Sequence, residues 1–535
     1  MKQQMPDKSS ARRPAGSSPW WSGAVIYQIY PRSFQDGNGD GIGDLPGITR
    51  RLDYLQGLGV NALWLSPIFE SPMHDFGYDI SDYRAIDSVF GTLEDFRTLL
   101  REARRRGIRI ILDGVFNHTS HLHPWFVESR SSKTNPKRDW YIWRRKRNNW
   151  LSIFGGGAWE KDATTGEYYL HSFLKEQPDL NWRNPEVKAA VFSELKYWLD
   201  MGVAGFRFDV INFFFKDAQF RDNPFGLGPT PRPYDWQRHI FDRNRPELHE
   251  LLGELRELLD RYDAMMVGEV FSETPDARLA ASCLGRGDEL HLSFDFSLMY
   301  TKWSAGAFRA RLREYHESIH EKAWPCTVLS NHDQPRSLTR FGGRDAHERA
   351  KVLAALLMTM RGTPFLYYGE EIGMRDLKIR RSEIVDPVGK KYWPFHKGRD
   401  PARTPMQWSG SEHAGFSSAR PWLPVHPEFG MCNVERQRDD PDSLLSFHKR
   451  LIACRKDHRA LREGGLKIEN GNRGAEDVLI YHRDELSVVL NFSNRSKAIE
   501  IPRPGKVVFS THRDAGAALG DGAWAYPYEA TIYAC

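Results

Sequence analysis

This 535-residue chain has no cysteine framework: Cys283, Cys326, Cys432, Cys454 and Cys535 are odd in number, scattered, and form no C-x-x-C pair. That excludes a disulfide-stapled scaffold and reads as free thiols in a reducing compartment. Long apolar runs are missing as well. No stretch approaches the ~18 apolar residues of a membrane span, and residues 1–18 are polar and basic, without the apolar core of a secretion signal. Together these absences predict a cytoplasmic protein that does not enter a membrane. An excess of one charge is lacking too: 75 basic residues face 70 acidic ones, a net charge of +5. The basic clusters Arg104–Arg106 and Arg144–Lys146 read as solvated faces, so nucleic acid is not expected as a partner. There are no internal repeats, and only residues 1–18 have the composition of a disordered segment.

Aromatic residues, by contrast, are plentiful: 17 Trp, 20 Tyr and 30 Phe. Large cores and sugar-binding clefts both use such flat apolar faces. Short apolar runs at 25–30, 60–65, 109–115, 205–210, 265–270, 289–294, 327–329 and 364–368 read as strands, the sixth being the weakest pattern. Amphipathic helices are expected between them, among them Leu93–Arg106 and Glu186–Met201. Eight strands alternating with helices imply an α/β fold with parallel strands, and eight suits a closed (β/α)₈ TIM barrel better than an open sheet. The barrel, domain A, is assigned to residues 19–116 and 185–465. Residues 117–184, too many for one crossover helix, are expected to form an inserted subdomain, domain B, over the barrel mouth. From 466 to 535 the pattern changes to alternating runs such as Val478–Tyr481 and Leu486–Leu490, which predict a C-terminal antiparallel β domain, domain C.

Within the fourth run, Phe206, Phe208 and Val210 alternate with Arg207 and Asp209. An unpaired charge on a buried strand costs several kcal/mol, so a structural ion pair is the plain reading of this R-x-D. Two further acids alter that reading. Glu269 follows Met265–Gly268, and Asp333 follows Val328–His332. Three carboxylates at the ends of three barrel strands point to one pocket, because a barrel carries its site on the carboxyl-end face.

These segments carry a resemblance. Asp113–His118, Gly205–Val210, Val267–Val270 and Ser330–Pro335 stand in the order of four motif regions of glycoside hydrolase family 13, the α-amylase family. Gln177–Asn181, Gly77–Tyr83 and Gly398–Trp408 resemble its oligo-1,6-glucosidase and bacterial α-glucosidase branch. The likeness runs from about Trp20 to the C-terminus. It implies a retaining hydrolase, which needs two carboxyl groups ~5–5.5 Å apart, one nucleophile and one acid/base. By resemblance Asp209 is the nucleophile, kept ionised by Arg207, and Glu269 is the acid/base. Asp333 then holds the hydroxyls of the distorted sugar ring. Asp79, His118 and His332 match the family's hydrogen-bonding set around the first glucose, a core histidine being the alternative for each His. Arg399 matches an arginine that contacts glucose or pairs with Asp79, closing the far end of the pocket, with Arg403 close enough to be confused with it. Tyr83 and Phe154 are candidate wall aromatics or simple packing.

The loop Asp36-Gly37-Asn38-Gly39-Asp40-Gly41-Ile42-Gly43-Asp44 alternates oxygen donors with glycines. Asp36, Asn38 and Asp40 by side chain, Ile42 by its carbonyl and Asp44 by its acid are spaced as in a calcium loop. Ile48 at the twelfth position excludes an EF-hand. A structural Ca²⁺ or Mg²⁺ is expected, with no cofactor for catalysis; a Gly-Asp-rich turn is the alternative. A closed pocket implies exo action on a small oligosaccharide. The linkage cues disagree. Val210, after the nucleophile, goes with α-1,6 linkages in this branch, whereas Asn212–Pro224 resembles α-glucosidases that prefer α-1,4 or transfer glucose. Arg336-Ser337-Leu338-Thr339-Arg340 departs from the loop of sucrose isomerases. Trehalose-6-phosphate hydrolysis stays open. A non-catalytic transporter subunit would lack the acids and carry an anchor. Monomer and homodimer are both compatible with the sequence.

Overall fold

The computed structural model describes residues 18–535 apart from 231, 472–474, 502 and 521. The segment expected to be disordered therefore lies, except for Ser18, outside the described residues. Eight parallel strands form the central sheet: β1 (Ile26–Ile29), β2 (Ala62–Leu65), β3 (Arg109–Gly114), β4 (Gly205–Phe208), β5 (Met265–Glu269), β6 (Leu292–Phe294), β7 (Cys326–Val328) and β8 (Thr363–Tyr367). They pair in chain order, and β1 also pairs with β8, so the sheet curls into a barrel with a seam between β6 and β7. The Cys326 thiol bridges that seam, donating to the Ser293 carbonyl at 3.1 Å. Helices follow the strands, among them α1 (Leu93–Arg105), α2 (Pro185–Met201), α3 (Glu247–Arg261), α4 (Ala346–Thr359) and α5 (Leu444–Asp457).

Local chemistry sets these elements. Helix α1 starts at a reciprocal capping box between Thr92 and Asp95. Helix α2 opens with an Asn184 cap and Pro185, and ends at Gly202 in the left-handed conformation. Period-2 alternation sorts the strand residues. Ile26, Trp64, Ile111, Met265, Val267, Leu292, Phe294, Val328 and Phe365 fill the barrel interior, while Tyr27, Leu63, Ile110, Leu112 and Met266 pack outward beneath the helices. Gly205 is required where β4 meets β5: its φ is +157°, and a Cβ there would stand 2.2 Å from the Met265 carbonyl oxygen.

Between β3 and β4 lies the insertion, with a short helix (Pro124–Ser131) and a three-stranded antiparallel sheet (Trp143–Arg144, Trp159–Lys161, Tyr168–Leu170). Its anchor is a fully buried ion pair: the Lys216 ammonium, on the loop after β4, lies 2.7 Å from Asp179 and 2.9 Å from the Asn117 side chain. From Lys467 onward the chain builds a six-stranded sheet. It meets the barrel through the buried Arg483, while Arg455 of α5 reinforces the same spot from within the barrel domain; both bond to backbone carbonyls. Arg483 donates to Thr359 and to Gly464, and Arg455 to Met358 and Gly362, around the carboxyl end of α4. Cations belong there, where the helix dipole is negative. All five cysteines are free thiols, and among the described residues no helix is long and apolar enough to cross a membrane.

The Lys216–Asp179 pair gives a direct test. Lys216→Met strands a buried carboxylate, at an expected loss of about 3–5 kcal/mol. Urea unfolding should show an earlier transition, and limited proteolysis should cut first within residues 117–184.

Candidate active site

The interior pattern that fills the barrel with apolar side chains turns to charge at its carboxyl end. Asp113 on β3 pairs in register with Arg207 on β4, and Arg207 with Val267 on β5. Asp209 and Glu269 form the next layer up. Arg207 is 1% exposed and serves all three acids. Its Nη1 donates to Asp113 and to Asp209, each at 2.8 Å, and its Nη2 to Glu269. The Trp64 ring lies beside the guanidinium, 5.2 Å from centroid to carbon, and the indole N–H donates to Asp113 at 3.2 Å.

Asp209 and Glu269 also act on each other, a contact that raises Glu269 and lowers Asp209. Burial pushes Glu269 up to about 8, with the negative charges of Asp209 and Asp333 adding to the rise and Arg207 opposing it. Burial likewise lifts Asp209, to about 7, against the pull of Arg207, and Asp113 to about 6. Arg207 thus does less than the sequence suggested. It lowers Asp209, but burial and the neighbouring acids outweigh it. What separates the two groups is order: Asp209 gives up its proton before Glu269 does.

Asp333 is different. Burial would raise it, but the guanidiniums of Arg403 and Arg399 hold it below the ordinary carboxylate range. Arg403 donates to Asp333 at 2.7 Å and to the His332 carbonyl at 2.8 Å. Burial keeps His332 neutral. Its Nδ1 accepts from the Gln28 amide at 2.8 Å, which leaves the proton on Nε2, 2.5 Å from the Tyr78 hydroxyl and 3.2 Å from Asp333. The Tyr78 ring stacks on His332 at 5.5 Å, and its hydroxyl donates to Asp113.

Two expectations need correction. Arg399 does not pair with Asp79. Its Nη2 donates to Asp75 at 2.5 Å and to Asp386 at 2.6 Å. Asp79 is wholly buried and shapes the turn behind the pocket, accepting from the Ser71 hydroxyl and from the backbone N–H of His74 and Asp75. Tyr83 is likewise behind the wall: it is 2% exposed, and its hydroxyl donates to the carbonyls of Val115 and His118. Four positions before Asp79, Asp75 faces Arg399, and Tyr78 joins His332 to Asp113. His118, lowered by burial to about 4, has both ring nitrogens occupied, with Asn117 on Nδ1 and the Tyr78 carbonyl and Gln177 around Nε2. Gln177 also donates to Asp75. Phe154 lies under the Arg399 guanidinium at 5.3 Å. Sequence reasoning missed Asp75, Tyr78, Asp113, Gln177, Arg403 and Asp386 as site residues. Asp113 had a readable signal, a carboxylate closing an apolar strand like the other three.

Val210 has φ +37° and ψ +49° and is buried among Ile153, Phe173, Phe213 and Tyr234. A β-branched residue in the left-handed region is strained, by about 1–3 kcal/mol. In the loop at 36–44, side-chain oxygens accept from backbone N–H groups further along: Asp36 from Asn38, Asn38 from Asp40, and Asp40 from Ile42, all within 3.0 Å. Asp44 caps the helix that begins at Leu45. Among the described residues no group of three or more His, Cys, Asp or Glu side chains forms a metal cluster.

An eight-stranded parallel barrel with a proton-sharing carboxyl pair and a third, permanently ionised acid on its carboxyl-end face defines a glycoside hydrolase. Residues 28–464 match the model of the alpha amylase catalytic domain, and the chain belongs to that family. It is 44% identical over 502 residues to a probable alpha-glucosidase of Rhizobium meliloti, covering 90% of this chain and 91% of the relative. It is 43% identical to an oligo-1,6-glucosidase of Parageobacillus thermoglucosidasius, covering 90% and 92%. Among solved structures it resembles the alpha-glucosyl transfer enzyme XgtA, with a TM-score of 0.89 and 42% identity over 97% of this chain and 100% of that one. The trehalulose synthase MutB of Pseudomonas mesoacidophila MX-45 follows at 0.86 and 37%, with the same coverage.

The proton order fixes the pH response. With Asp209 as nucleophile and Glu269 as acid, the roles the resemblance implies, protonation of Asp209 stops the reaction as pH falls and deprotonation of Glu269 stops it as pH rises. A bell-shaped kcat/KM is expected, its alkaline limb set by a group near 8 rather than in the ordinary carboxylate range of about 4.3. A chromogenic glycoside assayed from pH 4 to 10 reads both limbs; an alkaline limb below about pH 6 would contradict the assignment.

Proposed function

We propose that the chain is a retaining, exo-acting α-glucosidase that releases α-glucose from the non-reducing end of short α-glucosides, preferring α-1,6 linkages. The observation that carries the reading is the pocket's composite end wall. Arg399, clamped between Asp75 and Asp386, stands 3.7 Å from Asp333, which supports a site blocked at one end. Glu269 donates its proton to the glycosidic oxygen as the Asp209 carboxylate attacks the anomeric carbon. The aglycone departs with that proton, leaving a β-glucosyl ester on Asp209. Water then attacks the same carbon, Glu269 takes the water's proton, and the ester bond breaks to give α-glucose and free Asp209. Asp333, ionised throughout, faces the positive charge that develops on the ring in both steps. The names of the glucosidase relatives and the Val210 side chain support the 1,6 preference. Similarity to an alpha-glucosyl transfer enzyme supports a second reading, in which a sugar hydroxyl replaces water in the second step. The free thiols support a reducing, cytoplasmic setting.

Glucose release from isomaltose and maltose, measured in parallel, tests the reading. Faster isomaltose turnover is expected, with a loss on the order of 10⁴-fold or more in Asp209→Asn. Faster maltose turnover would overturn the linkage, and longer products in place of glucose would favour transfer.

We also propose that the loop at 36–44 binds a divalent cation. Its donors are the hard oxygens such ions prefer, and Gly39 and Gly41 stand at positive φ in a tightly curled loop. Asp36, Asn38, Asp40, the Ile42 carbonyl and Asp44 would hold the ion, which would brace the loop rather than take part in the chemistry. Calcium or magnesium should raise the thermal midpoint of EDTA-treated protein by several degrees, and Asp36→Asn should abolish the shift. An unchanged midpoint would show the loop to be a self-bonded turn.

A further inference from the structure

The end wall contains a residue that no motif singled out. Asp386 lies on the loop after β8, 0% exposed, thirteen positions before Arg399. One of its oxygens takes both Nε and Nη2 of Arg399, at 2.8 and 2.6 Å. The other accepts from the Gly389 N–H at 3.0 Å and from the Arg399 N–H at 3.3 Å. Asp386 is itself pinned, because Asp400 accepts the N–H groups of Val385 and Asp386 at 2.8 and 2.9 Å. A loop of fourteen residues is thus closed on itself, and its one guanidinium also donates to Asp75. Charge supports the geometry. Burial raises Asp386, but Arg399 and Arg403 more than reverse it and keep the group ionised. Of the two carboxylates on Arg399, Asp75 comes from a different loop, the one after β2, and Asp386 from the guanidinium's own loop. Asp386 therefore sets where Arg399 points before any sugar arrives.

We infer that Asp386 is a positioning residue that fixes Arg399 as the glucose-recognising wall, and so sets affinity for the terminal glucose without touching the reacting atoms. The inference rests on the proposed α-glucosidase reading. Asp386→Asn and Asp386→Ser both keep an acceptor for Gly389 and remove the charge. Each should raise KM for the preferred disaccharide and the inhibition constant for glucose together, by about tenfold. The change in kcat should stay within about threefold, and both limbs of the pH profile should keep their positions. Because Asp386 acts through Arg399, adding Asp386→Asn to Arg399→Gln should bring no further loss. Unchanged KM and glucose inhibition in both single variants would overturn the proposal. So would a fall in kcat alone, or losses that add in the double variant. A wild-type enzyme that turns over neither disaccharide would instead overturn the underlying reading. Thermal midpoints of the variants separate a misfolded loop from a misaimed arginine.

Discussion

One buried guanidinium holds the catalytic layer together. Arg207 faces Asp113, Asp209 and Glu269 at once, from a strand position where the barrel interior would otherwise be apolar. Three carboxyl groups this deep would not share a site without a cation, and a cation this deep would not stay without them. The arrangement is stable because one proton is also held there, on Glu269. The same balance makes the group reactive. The neutral member can give its proton away, and the charged member has a lone pair aimed at the same space. Catalytic competence is therefore a by-product of how the barrel solves its own electrostatics.

The second constraint is mechanical. The pocket's sugar end is made by three segments far apart in sequence: the loop after β2 with Asp75, the inserted domain with Phe154, and the loop after β8 with Asp386 and Arg399. Lys391, on the last of these, donates to the Gly155 carbonyl at 2.8 Å, so the outer loop and the insertion also meet at the rim. Lys216, buried against Asp179, seats the insertion on the barrel from below. A substrate-end wall built this way depends on every domain contact behind it.

The barrel was legible in the chain because its strands are short, apolar and bounded, and because Asp209, Glu269 and Asp333 each end one. Even the weak sixth run holds a strand, Leu292–Phe294. Pattern alone could not say which acid in a turn faces inward. In His74-Asp75-Phe76-Gly77-Tyr78-Asp79 the two aspartates are four apart, and the chain between them reverses direction, with Phe76 and Gly77 at positive φ. That reversal sends Asp75 to the pocket and Asp79 to the core, which periodicity cannot foresee. Arg399 and Arg403 are separated in the same way, by a helical turn at 400–402 that sends one to Asp386 and the other to Asp333. Asp386 was invisible for another reason: its partner is thirteen residues away across an irregular loop.

With Glu269 protonated, the carboxylates of Asp75, Asp113, Asp209, Asp333 and Asp386 outnumber the guanidiniums of Arg207, Arg399 and Arg403. The pocket is therefore a receptor for positive charge before it is a catalyst. Its field is suited to a ring that becomes cationic for an instant. It is equally suited to any small polyhydroxylated amine that carries a proton permanently. For such a molecule the site offers sugar-like hydrogen bonds and a standing negative potential, so a hydroxylated amine buffer is expected to compete with substrate instead of merely setting the pH.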